Sequence, residues 1–184
     1  MKSHDVKGLP ATSAGSDDLG QVERAYLDPI AWQIVGFAVG TGAHLFSTES
    51  SRMVDAAEIA ALDPKQGLTV KDAGARGAST IERYGELRDL DDLTRLTVYT
   101  EGGVLLGHVT GSEFDEQTLT VQSIEVAAHR FGAHPHIPVD QVITVGPELI
   151  VVRNEAVPPA PGREPAASDA TAPIGSERLD VEVP

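Results

Sequence analysis

The chain has 184 residues, a formal net charge of −14, no cysteine and only eight aromatic side chains. This length suits one ordinary domain or two small ones, and the lack of cysteine excludes disulfides, thiolate metal sites and a cysteine nucleophile. The acidity argues against DNA and RNA as partners, because phosphate binding needs clustered Lys and Arg.

Two further exclusions concern membranes and export. No apolar run approaches the ~20 residues of a membrane-spanning helix. The first residues, Met1–Asp5, lack the apolar core of a signal peptide. We therefore expect a cytoplasmic protein without a membrane span.

An internal repeat at an offset of 87 residues organises the sequence. The matched segments are Leu19–Val22 with Leu106–Val109, Asp28 with Asp115 and, after a two-residue adjustment, Val54–Ile59 with Val139–Ile143. The repeat predicts two homologous modules, at 5–74 and 91–155, joined by a linker at 75–90 and followed by a tail at 156–184.

Both modules carry the local signals of β-structure. Leu19–Leu27 and Ile34–Val39 are short apolar runs separated by the turn sequence Asp28–Ala31. In the second module, Leu119–Val126 alternates apolar and polar residues, which is typical of a half-buried strand. Several short strands in so few residues predict a small antiparallel β-barrel in each module, whose closure removes the exposed edges.

The linker and the tail have different compositions. Ser79–Glu82 has the form of a capping box, and Ile81, Tyr84 and Leu87 form an apolar stripe, so we expect a short helix near 80–88. The tail holds six of the twelve prolines and no aromatic residue, which predicts disorder. Within it, Leu179–Val183 alternates apolar and acidic residues, and strand pairing with a sheet edge stays open.

The order of these motifs resembles the PRC-barrel family. The residues that carry the resemblance are Lys7–Pro10, Leu19–Val22, Asp28-Pro29, Ile34–Val39 and Val54-Asp55 in the first module, with Leu106–Val109, Leu119–Val126 and Ile137–Val142 in the second. The resemblance implies a mainly β fold of two small PRC-type antiparallel barrels in tandem. Related domains occur in the cytoplasmic part of the photosynthetic reaction-centre H subunit and at the C-terminus of the ribosome-maturation factor RimM.

The resemblance implies an adaptor or scaffold protein that binds a protein partner without catalysis. No catalytic signature or cofactor motif is present in the sequence, the partner is not specified, and a homodimer stays open. Trp32 is either a lid over its barrel or, with Tyr26, an exposed anchor for the partner. A ribosome-associated maturation factor of the RimM kind is the first alternative.

A second alternative comes from a cluster of three histidines in the second module. In an extended chain His134 and His136 point to the same side, a spacing that can hold a metal ion with His108 or Glu125 as a third ligand. Together with His129 they form a cluster that handles a metal ion or protons in this alternative. Exposed histidines beside a turn are the simpler interpretation. The first module has no matching histidines, so the cluster belongs to the second copy alone.

Overall fold

The computed structural model describes residues 1–40, 51–71, 87–128 and 135–156, and this part of the chain is mainly β. It forms two sheets. The first has seven strands: β1 (Pro10–Ser13), β2 (Asp18–Asp28), β3 (Gln33–Gly40), β4 (Arg52–Asp55), β5 (Ile59–Asp63), β6 (Gly67–Val70) and β7 (Arg88–Asp89). The second has six: β8 (Thr97–Thr100), β9 (Leu105–Phe114), β10 (Val121–Ala128), β11 (His136–Pro138), β12 (Val142–Val145) and β13 (Leu149–Val152).

The helices of the described residues are short 3₁₀ helices. They are Ser3–Asp5, Ala56–Glu58, Leu90–Arg95, Val139–Gln141 and Asn154–Ala156. In this part of the chain no helix has the length and apolar character needed to cross a membrane.

The two sheets have the same topology. The first runs β4-β3-β2-β1-β6-β5, with β7 beside β2, and the second runs β11-β10-β9-β8-β13-β12. The prediction of purely antiparallel barrels is wrong in two respects. β1 pairs with β6, and β8 with β13, in parallel, and the pairing of the described residues leaves each sheet as an open path instead of a closed barrel.

The repeat predicted from the sequence is present in the strand positions. β1 and β2 are related to β8 and β9 by the offset of 87 residues. Beyond β3 and β10 the predicted two-residue adjustment is wrong. Val54 pairs with Phe37, and Ile137 pairs with Ile124, so the offset there is 83. The connection between the third and fourth strands is therefore four residues longer in the first copy.

The sheets share one hydrophobic core, to which Leu27 and Phe37 of the first sheet and Phe114 and Ile124 of the second contribute. Each copy also extends a short segment onto the other sheet. The N-terminal segment pairs with β9 through Lys2 and Glu113, and β7 of the linker pairs with β2.

Some predictions fall on residues that the structure does not describe. The predicted linker helix covers 80–88, of which 80–86 are outside the described residues, and Arg88 begins β7 instead of continuing a helix. Of the tail, only Ala156 is described, at the end of a 3₁₀ helix, and Leu179–Val183 lies outside.

Candidate functional site

A pocket lined mainly by apolar residues opens where a turn of the first sheet meets the edge strand β12 of the second. Pro29, Ile30 and Trp32 of the turn between β2 and β3 line one side, and the four residues of β12 line the other. The cavity measures about 230 Å³. Ile30 is 93% exposed and Ile143 is 48% exposed, so two large apolar side chains at this opening face solvent. We call this site the edge pocket.

Local hydrogen bonds fix the turn that presents Ile30. The Asp28 carboxylate accepts from the backbone N–H groups of Ile30 (2.9 Å) and Ala31 (3.1 Å), which is the usual role of Asp in a tight turn. Trp32 follows at a φ of 53°, and its carbonyl accepts from the N–H of Val121 in the second sheet at 2.8 Å. Ile30 is thus exposed on a turn that both sheets hold in place.

The composition of β12 distinguishes it from the other three end strands. β4 carries Arg52 and Asp55, β5 ends on Asp63, and β11 contains Pro138, all of which discourage edge-to-edge pairing. The sequence of β12, Val-Ile-Thr-Val, has neither charge nor proline. Among the described residues no strand pairs with its outer edge. This edge can therefore accept another strand.

A second group of polar side chains lies on the other flank of the second sheet. Glu113 of β9, Glu125 of β10 and His136 of β11 place their ligand atoms within 4.8 Å of one another. Nδ1 of His136 is 3.7 Å from Glu113, and Nε2 is 3.6 Å from Glu125. We call these three residues the acid–histidine cluster.

Lys2 joins this cluster from the N-terminal segment. Its Nζ donates to Oε1 of Glu125 at 2.6 Å. This hydrogen bond is the main cause that lowers the pKa of the Glu125 carboxyl, and in return it raises the pKa of Lys2. Glu125 is therefore ionised at neutral pH, and the pair ties the N-terminal segment to the second sheet.

The structure brings together only part of the predicted histidine site. His136 lies beside Glu125, one of the two candidates for a third ligand, whereas His108 is not a member of the cluster. His129 and His134 lie outside the described residues. The sequence interpretation missed Glu113, because one Glu in a strand of alternating residues has no distinguishing mark.

Trp32 is buried and Tyr26 is half-buried in the assembled sheets. Trp32 is 8% exposed, as expected for a lid over the core. Tyr26 is half-buried in β2, where it pairs with Gly36 on one side and Asp89 on the other. A partner-binding role for either residue stays a prediction. The exposed apolar residues, Ile30 and Ile143, were not singled out from the sequence, although an Ile within a turn is itself an unusual signal.

Comparison with known proteins gives no assignment. No family model matches the chain, and no curated protein matches it. The two features of the described residues that bear on function are the edge pocket and the acid–histidine cluster.

Proposed function

We propose that this chain is a cytoplasmic, non-catalytic adaptor that binds an extended segment of a protein partner at the edge pocket. The observation that carries the proposal is the uncharged edge of β12, with which no described strand pairs, beside a cavity lined mainly by apolar residues. Edge strands without charge or proline are otherwise a hazard for aggregation. A binding role explains why the edge of β12 carries neither a charge nor a proline.

The binding mode is strand addition. A partner segment that pairs with β12 gains main-chain hydrogen bonds along the edge. Its side chains alternate between the two faces, so every second one can point toward Ile30 and Trp32. The cavity of about 230 Å³ is large enough for one or two apolar side chains of the partner.

Charge selects the class of partner. Residues 81–155 contain thirteen acids and five bases, and the exposed Asp140 and Glu148 lie just before and just after β12. Opposite charges across an interface favour encounter and set register. The partner segment is therefore apolar at alternate positions and carries Lys or Arg between them.

The same proposal includes family membership. Two sheets of equal topology, related by a repeat, support descent from a duplicated module, and the order of the sequence motifs resembles that of the PRC-barrel family. Adaptor roles are what that resemblance implies. The ribosome-maturation alternative stays a prediction, and its test is salt-dependent binding to ribosomal particles.

Selection of peptides tests the proposal directly. A phage-displayed library of linear peptides is panned against the full chain, and enriched peptides are then measured by fluorescence anisotropy. We expect alternating apolar and basic sequences. Their affinity should fall by at least about tenfold in Ile30→Asp and in Ile143→Asp, because each change places a charge in the apolar contact.

The matched control is Val104→Asp, at a residue that is 53% exposed but does not line the pocket. It should leave peptide affinity unchanged. Peptides that bind both pocket variants as well as the wild type, or a failure to enrich any sequence, contradict the proposal. Crosslinks from a photoreactive residue at position 143 to Leu179–Val183 of the same chain also contradict it, because they assign the pocket to the protein's own C-terminus.

A further inference from the structure

The acid–histidine cluster is built across three adjacent strands. Glu125 and His136 are directly opposite each other in the β10–β11 pair, and Glu113 is opposite Ser123, two residues before Glu125. Residues two apart in a strand lie on the same face, so the three side chains project from one surface of the second sheet. Two carboxylates and one imidazole thus converge from a rigid scaffold.

Gly111 leaves room for the Glu125 carboxylate. It is opposite Glu125 in the β9–β10 pair, and a Cβ atom at this position would lie 3.4 Å from Oε2 of Glu125, with Ser3 Oγ at 3.8 Å. A contact of 3.4 Å is ordinary van der Waals packing, so a Cβ atom alone would fit here, whereas a longer side chain would compete for the space of the carboxylate. The glycine keeps the cluster open.

The cluster is not a requirement of the fold. The repeat places Tyr26, Ala38 and Met53 of the first sheet at the positions of Glu113, Glu125 and His136. None of these three side chains is a carboxylate or an imidazole. The first sheet has the same topology without such side chains, so the fold does not require them. A chemical role explains why Glu113, Glu125 and His136 converge in the second sheet.

We propose that Glu113, Glu125 and His136 form a binding site for a divalent transition-metal ion of the Zn²⁺ class. Carboxylate oxygen and imidazole nitrogen are ligands that Zn²⁺ accepts at about 2.0–2.2 Å, and their present separations of up to 4.8 Å need only small side-chain movements to surround one ion. Three protein ligands leave at least one coordination position open. Water or a group of a partner protein occupies that position.

Lys2 is the competitor for this site. Its ammonium lies 2.6 Å from Oε1 of Glu125, and it thereby neutralises part of the charge that would attract a metal ion. The Lys2 side chain is 43% exposed, so it can leave for solvent when the ion binds. Metal binding and docking of the Lys2 side chain therefore exclude each other at Glu125.

The test is isothermal titration calorimetry, in which Zn²⁺ is added to the metal-free full chain. We expect one site. Glu113→Gln, Glu125→Gln and His136→Gln should each weaken its affinity by at least about tenfold, since each removes a ligand. Lys2→Gln should strengthen it by about two- to fivefold, because an exposed competing ion pair contributes that much.

His108→Gln is the matched control, because His108 is an exposed histidine of β9 outside the cluster. It should bind Zn²⁺ like the wild type, and circular dichroism in EDTA verifies that every variant is folded. Titration of Co²⁺ adds a second readout, since its absorption reports tetrahedral ligands. The proposal is overturned if the wild type shows no saturable binding. It is also overturned if Glu113→Gln and Glu125→Gln bind Zn²⁺ as tightly as the wild type, or if Lys2→Gln binds it less tightly.

Discussion

Gln33 forms an antiparallel bridge with Thr120, which is the residue equivalent to Gln33 in the second copy of the repeat. The neighbouring contacts are reciprocal. The N–H of Ile34 donates to Leu119 and the N–H of Val121 donates to Trp32, both at 2.8 Å. A local two-fold relationship therefore passes through the Gln33–Thr120 pair.

The two residues beside this pair share an unusual backbone conformation. Trp32 has a φ of 53° and Leu119 a φ of 57°. Bulky side chains in the left-handed region cost on the order of 1–3 kcal/mol each. The reciprocal hydrogen bonds between the sheets and the burial of both side chains stabilise this conformation.

Replacing Gln33 by Ala tests the contact at the two-fold position. Nε2 of Gln33 donates to the carbonyl of Thr118 at 2.6 Å, and Oγ1 of Thr120 donates to Oε1 of Gln33 at 3.3 Å. We expect Gln33→Ala to lower the free energy of unfolding by about 0.5–1.5 kcal/mol, measured by urea denaturation. Gln117→Ala, at an exposed position, is the control and should have little effect. Equal losses in the two variants would contradict this role of Gln33.

The shared core predicts that both sheets unfold together. Phe37 and Phe114 are each fully buried in one continuous cluster, so neither sheet keeps its apolar face covered when the other unfolds. Scanning calorimetry should show a single transition whose calorimetric and van't Hoff enthalpies agree. Two separate transitions would mean that the sheets are independent domains.

The position of Trp32 predicts its fluorescence. It is the only tryptophan of the chain and is 8% exposed, so its emission should lie at shorter wavelength than that of free indole in water, and iodide should quench it poorly. Trp32→Ala should lower the free energy of unfolding by about 3–5 kcal/mol, because it empties a buried site. Trp32→Phe should cost less. Water-like emission from the folded protein would contradict the burial of Trp32.

The repeat could be predicted from the sequence because it depends on local requirements. Asp28 and Asp115 accept backbone N–H groups in equivalent turns, and such turns select Asp in both copies. The four-residue shift could not be predicted reliably. Val-Asp occurs at 54–55 and again at 139–140, and this coincidence matched two segments that the strand pairing does not relate.

Long-range features were beyond the reach of local patterns. The parallel pairing of β1 with β6 joins Ala11 to Leu68, and hairpin signals describe only neighbouring strands. The edge pocket likewise unites Ile30 with Ile143 from different copies. The histidine pattern did indicate His136 and Glu125. The position of Glu113 beside these two residues depends on the register of β9 against β10, which no local pattern specifies.

The two equivalent turns differ in the number of hydrogen bonds that the Asp carboxylate accepts. Asp115→Ala should therefore destabilise the protein more than Asp28→Ala. The Asp115 carboxylate accepts from the N–H groups of Gln117 and Thr118 and from the Thr118 hydroxyl. Among the described residues Asp28 accepts only from the N–H groups of Ile30 and Ala31, since Ala31 replaces the threonine. Thermal melting at pH 7 checks the order of the two variants, and a lower melting temperature for Asp28→Ala would contradict it.

The lowered pKa of the Asp115 carboxyl predicts that the folded protein loses stability in acid. The backbone and hydroxyl hydrogen bonds of Thr118 are the main causes that lower the pKa of the Asp115 carboxyl. Its contribution is therefore fully present above the unfolded-state pKa of about 3.9 and is lost as the pH falls through the lower folded-state pKa. Melting temperatures of the wild type and Asp115→Ala should converge below that range. A constant difference at all pH values would contradict the assignment.

The raised pKa of the Asp89 carboxyl predicts the opposite pH dependence of stability. Burial is the main cause that raises the pKa of its carboxyl, although it accepts from the N–H of Asp91. Because the folded-state pKa is the higher one, the folded chain binds this proton more tightly. The resulting stability is fully present below the unfolded-state pKa of about 3.9 and is lost as the pH rises through the folded-state pKa.

Asp89→Asn should therefore gain stability relative to the wild type as the pH rises from 3 to 7. Asn keeps an oxygen that can accept from the Asp91 N–H, and the contact that is lost, to Arg24 at 3.7 Å, involves a largely exposed guanidinium that stabilises little. Denaturation curves across this pH range measure the difference. Asp140→Asn, at an exposed acid that is not among the charges acting on Asp89, is the control and should not reproduce the trend. If Asp89→Asn instead loses stability relative to the wild type as the pH rises, the ion pair with Arg24 outweighs the cost of burying the carboxylate.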